Sequence, residues 1–160
     1  MRNVWLGGCL ALLAASAGMA LSACSDAAAP SALGVWEFNA SYGGNGYSCT
    51  ITGATLRLER EPAQWTGSLS GGESYCVAPP GESAVPPVTI NVALDSIRVG
   101  DASVSFKLLG EPFRVTGEVA EDQMSGTVEA ATPFCQCTEP FLTGTWTAHR
   151  VDATTAAARQ

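Results

Sequence analysis

Residues 102–130 read ASVSFKLLGEPFRVTGEVAEDQMSGTVEA, and this stretch decides the fold. Val104, Phe106 and Leu108 alternate with Ser103, Ser105 and Lys107. Phe113, Val115, Gly117 and Val119 alternate with Arg114, Thr116 and Glu118, and Met124, Gly126 and Val128 with Ser125, Thr127 and Glu129. A period of two puts one set of side chains on a dry face and the other on a wet one, as in strands buried on one side. Gly110-Glu111-Pro112 and Glu121-Asp122 are turn signals short enough to make the neighbours antiparallel hairpins.

Outward from this core the same alternation recurs, and no segment keeps a helical period. Eight runs result, near 34–41, 54–60, 64–70, 87–94, 102–109, 112–119, 123–130 and 143–150. The expectation is an all-β domain over residues 34–150, an eight-stranded antiparallel up-and-down barrel, with a β-sandwich of the same strands as the alternative. A half-related repeat places Gly in mid-strand: Thr66-Gly67-Ser68-Leu69, Thr116-Gly117-Glu118-Val119, Ser125-Gly126-Thr127-Val128 and Thr143-Gly144-Thr145-Trp146. Glycine on the apolar face permits the coiling and close packing of a small barrel. The ends of the domain echo each other, Leu33-Gly34-Val35-Trp36 against Thr143-Gly144-Thr145-Trp146. If those strands pair, no edge stays open and both Trp enter one core.

Gly-x-Trp in the opening strand and again in the last resembles lipocalin-like and avidin-like barrels. That resemblance implies a binding protein, not an enzyme. Gly34-Val35-Trp36 followed by Cys49 and Leu56-x-Leu58 also resembles bacterial barrel inhibitors of secreted proteases, which implies a protein partner.

Ahead of the barrel, Arg2 and the uncharged run from Val4 to Leu21 read as an export signal, to be excluded from the fold. About 18 apolar residues are just enough to span a bilayer, so a retained helix is the rival. Leu21-Ser22-Ala23-Cys24 resembles the bacterial lipobox, in which the Cys is acylated and becomes the first residue of the mature protein. Residues 1–23 are accordingly expected to be a lipoprotein signal peptide, Cys24 the lipidation site, and 24–33 a flexible tether. Leu6-Gly7-Gly8-Cys9 lies too early to serve. Several acyl chains would hold the chain on a membrane. Ser25, where inner-membrane retention would usually place Asp, points to the outer membrane of a bacterial cell envelope. Residues 151–160 (VDATTAAARQ) read as a disordered tail.

Loss of the leader removes Arg2 and leaves 7 basic residues against 15 acidic, a net charge of −8. Nucleic acid is therefore not an expected partner, since phosphate contacts need clustered Lys and Arg. With Cys9 removed and Cys24 acylated, Cys49, Cys76, Cys135 and Cys137 remain, an even number in an oxidising compartment, which predicts two disulfides. A metal site from Cys135, Cys137 and His149 is the rival, disfavoured because one intervening residue suits zinc poorly. Neither metal nor cofactor is expected.

In an up-and-down meander alternate connections share an end. On the strand bounds above, long connections near 42–53, 71–86 and 131–142 gather at one end and hold all four cysteines. The expected bridges stitch them together, Cys49–Cys137 and Cys76–Cys135, with the assignment between the two left open. Tyr42, Tyr47, Tyr75, Phe134 and Phe141 fall there too, either as a binding rim or as a plug over the core. Trp36, Trp146, Phe106, Phe113 and Met124 point inward and decide whether a cavity is left.

Catalytic motifs are absent from the sequence. Gly67-Ser68-Leu69-Ser70-Gly71 has Leu where a nucleophile elbow needs Ser, and Gly43-Gly44-Asn45-Gly46 is a turn without the Lys-Ser/Thr of a phosphate loop. His149, beside Arg150, reads as a solvated strand end. The expected function is a lipid-anchored, non-catalytic binding module for a small apolar ligand or an envelope protein, with an inhibitor or a structural lipoprotein as alternatives.

Overall fold

The computed structural model describes residues 31–82, 85–131 and 141–151. Eight strands follow in order: β1 (Gly34–Gly44), β2 (Tyr47–Arg60), β3 (Trp65–Val77), β4 (Val85–Val99), β5 (Ser103–Leu108), β6 (Phe113–Ala120), β7 (Gln123–Ala131) and β8 (Phe141–Arg150). Each pairs antiparallel with the next, and β1 pairs with β8, closing the sheet. The sandwich alternative is thereby excluded. Closure brings the two Gly-x-Trp motifs onto adjacent strands, with Trp146 opposite Ala40 and Arg150 opposite Trp36.

Inside, Phe38 stacks on Trp146 with ring centroids 5.4 Å apart, and Phe106 meets Trp146 edge-on at 6.3 Å. Trp146 lies against Gly117, where a Cβ would come within 2.7 Å of its Cζ2 and into the backbone oxygen of Ser125. The missing side chain lets the indole reach the wall, and its Nε1 donates to the carbonyl of Thr116 at 3.0 Å. The mid-strand glycine therefore serves close packing, as the repeat predicts.

One end of the barrel is sealed. Arg150 places its guanidinium 4.1 Å from the centre of the Trp36 ring and donates to the carbonyls of Leu33 (2.8 Å) and Ser31 (2.7 Å). It also faces Asp122 at 3.4 Å. Trp36 Nε1 donates to Ala32 O at 3.0 Å. The end of β8 is thus not simply solvated: His149 is exposed, but Arg150 is a lid over the core.

At the other end the first four strands run longer than their alternation suggests. Residues 42–53 and 71–86 are mostly strand, not long loops. The β1–β2 connection is the two-residue turn Asn45-Gly46, with φ of 52° and 85°, which suits a tight hairpin. Irregularities in register explain the rest. In β2 the inward residues are Tyr47, Cys49 and Ile51, then Ala54, Leu56 and Leu58, an odd set followed by an even one. The switch falls at Thr52-Gly53, where the Gly53 N–H donates to Asn39 Oδ1 at 2.9 Å. Register also shifts at Gly71–Glu73 in β3 and Asp95–Arg98 in β4. Gly72 has φ of 67°, and a Cβ there would sit 2.6 Å from Thr52 O. A bulge adds one residue and reverses which parity faces inward, so a strict period-two reading stops there.

The outward face alternates Ser, Thr, Lys, Arg and Glu along β5, β6 and β7, the reverse of the apolar band that faces lipid in transmembrane barrels. Among the described residues no helix is long and apolar enough to cross a membrane.

Candidate functional site

The extended strands enclose a cavity of about 430 Å³ that opens at the end opposite Arg150. It exists because several of the inward residues there are small. Cys49, Ser74, Cys76 and Ala130 line it, whereas Trp36, Phe38, Phe106, Leu56, Leu58 and Trp146 fill the barrel below. Of the inward rings expected to occupy the interior, Phe113 alone stands at the cavity wall. Ile51, Ile90, Val92, Leu108 and Leu142 supply most of the remaining apolar surface. Val88 lines the mouth and is 52 % exposed, a large side chain on the inward row with open space before it.

The cysteine pairing corrects the expectation. Cys49 and Cys76 are direct cross-strand partners in β2 and β3, with Cα atoms 4.1 Å apart, and they form a disulfide with each other. The long-loop placement behind Cys49–Cys137 and Cys76–Cys135 fails because both residues lie within paired strands. Cys135, Cys137 and Phe134 lie outside the described residues, as do the export signal, Cys24 and the tail from residue 152. Phe141 is described only as the first residue of β8. Among the described residues no group of His, Cys, Asp and Glu could hold a metal.

Three aromatics of the expected rim can be placed. Tyr42 lines the cavity and meets Phe113 edge-on at 5.4 Å. Burial raises its phenol above the ordinary 10.0, and a hydrogen bond with the Ser74 side chain pulls the other way. Tyr47 lines the cavity too, and its hydroxyl donates to the Glu82 carboxylate, the main reason its phenol is also raised. That bond, with Gly46 packed against Pro79, brings the β3–β4 connection against the Asn45-Gly46 turn. Tyr75 is different. The bulge at Gly71–Glu73 turns it to the outer face, 42 % exposed.

The sequence reading did not single out Ile51, Ser74, Ile90 or Glu111 as site residues, although Ile90 falls in the run near 87–94 and Glu111 in the turn Gly110-Glu111-Pro112. Asn45-Gly46 between Tyr42 and Tyr47 was the signal that would have found the extended hairpin. Glu111, exposed in the β5–β6 turn, is also among the lining residues. The only histidine, His149, lies on β8 one residue from the sealing Arg150, at the other end of the barrel.

The fold and site define a closed eight-stranded antiparallel barrel, sealed at one end and hollow at the other. Comparison with models of known protein families, with curated proteins and with solved structures finds no match.

Proposed function

We propose that this chain is a lipid-anchored protein of the bacterial cell envelope, acylated at Cys24, whose barrel is a non-catalytic module binding a small apolar ligand. One observation carries the binding reading: the open half holds an apolar cavity of about 430 Å³, within the range of small-molecule sites. A few polar residues, Tyr42, Tyr47, Ser74, Asn91 and Glu111, stand among its otherwise apolar lining. The anchor fits the geometry as well. β1 starts at the sealed end, so a lipid at Cys24 would attach to the floor through residues 25–33 and leave the mouth free.

Titration with 1-aminoanthracene, a small neutral apolar fluorophore, tests the cavity. The protein should bind one equivalent. Ala130→Phe, which fills the wall, should weaken binding at least tenfold while the far-ultraviolet circular dichroism stays unchanged. Equal binding by both proteins would sink the reading.

A second reading, engagement of an envelope protein, draws on Tyr75 and Val77. They project from the outer face of β3, 42 % and 50 % exposed. A Tyr75→Ser, Val77→Ser double variant that keeps fluorophore binding but loses a partner captured from envelope extracts would favour it. Capture unchanged by the double variant would count against it.

A further inference from the structure

We infer that the cavity selects an organic cation: an amphiphile with an apolar body and an ammonium head, in preference to a fatty-acid-like anion. This rests on the binding reading above and adds the chemical class of the ligand.

Charge is segregated along the barrel. The described stretches that meet at the open end, residues 40–52, 72–82, 85–92, 108–113, 130–131 and 141–142, contain no Lys, Arg or His. They carry Glu73, Glu82 and Glu111. Among the described residues every Lys and Arg lies elsewhere, at Arg57, Arg60, Arg98, Lys107, Arg114 and Arg150. The nearest to the mouth, Lys107 and Arg114, alternate with the inward Phe106, Leu108, Phe113 and Val115, so they occupy the outer wall. There they stand opposite Asp95 and Glu129 in the sheet register.

Among the described lining residues the charged one is Glu111, exposed in the β5–β6 turn at the mouth, and a second carboxylate, Glu82, holds the hydroxyl of Tyr47. A ligand carboxylate entering here would lose water and find no cation among the described residues, a costly combination in an apolar site. An ammonium head meets the opposite conditions. Glu111 supplies a counter-charge, and the rings of Tyr42, Tyr47 and Phe113 offer aromatic surface that attracts cations. The apolar body then covers Ile51, Ile90 and Leu142, while the acidic rim steers cations inward.

The test compares octylamine, octanol and octanoate as competitors of 1-aminoanthracene on the intact barrel at neutral pH and low salt. Their tails are identical, so the head group alone decides. Octylamine should compete at least tenfold better than octanoate, with octanol between them. Glu111→Gln should weaken octylamine severalfold and leave octanol unchanged. Octanoate equal to or better than octylamine, or octylamine indifferent to Glu111→Gln, would overturn the inference and leave the binding reading standing. Failure of the fluorophore itself to bind would bring down both.

Discussion

Arg150 shows how much one side chain can do at the end of a barrel. It covers the Trp36 ring and donates to two backbone carbonyls of the entering chain. Arg150→Ala should therefore cost about 2 kcal/mol by urea unfolding, from the lost cation–ring contact and two charge-assisted bonds. Arg150→Lys should recover only part, since an ammonium cannot stack and fork together. No loss in the Ala variant would show that the seal is ornamental. Gly117→Val should be worse, because its Cβ would press on Ser125 and Trp146. Tyr42 gives a pH dependence. Its phenol is held above 10.0 in the folded state, so the unfolded chain releases that proton first. Stability should fall as pH rises from about 10 through the folded value, and Tyr42→Phe should flatten part of that slope. At this scale the sequence was only partly legible. Trp36 and Trp146 announced themselves by their shared motif, but nothing local in His149-Arg150 reveals that Arg150 reaches back to Ser31.

Among the elements, β5, β6 and β7 were legible almost residue by residue, because nothing interrupts their alternation. β2 and β3 were legible only on the sealed side of their bulges, and β4 only on the cavity side of its own. Thr52-Gly53, Gly71–Glu73 and Asp95–Arg98 each reverse the inward parity, so the apolar positions beyond look like loop when counted straight through. In β2 and β3 that lost the cavity wall from Tyr47 to Ile51 and from Ser74 to Cys76, and misplaced Cys49 and Cys76. Non-reducing peptide mapping should recover a Cys49–Cys76 peptide; Cys49 joined to Cys137 instead would contradict the register of β2 and β3. The bridge spans 27 residues and should contribute roughly 2–4 kcal/mol by restricting the unfolded chain. A Cys49→Ala, Cys76→Ala variant should unfold at correspondingly lower urea, its loss centred on the open end. Amide exchange in β2 and β3 near Tyr47 and Tyr75 is the readout, while the Trp36 end stays protected.

For the whole molecule, closure of the sheet was foreshadowed by the matching Gly-x-Trp ends. The cavity was not, because it depends on which inward side chains are small at one height on three different strands. The same closure fixes a polarity: chain entry and Arg150 at one end, the hollow at the other. If Cys24 is the anchor, Cys24→Ser should block acylation and shift the protein out of the membrane fraction. An unchanged mature mass and membrane fraction would contradict that reading. The central claim, that the open half of the barrel is a ligand site, is tested most directly by methyl nuclear magnetic resonance during titration with 1-aminoanthracene. The account predicts shifts at Ile51, Ile90, Leu108 and Leu142 on the cavity wall, and little change at Leu56, Leu58 and Met124 in the filled half. Shifts confined to Val77 and Leu109 on the exposed surface, with the cavity methyls unmoved, would contradict it.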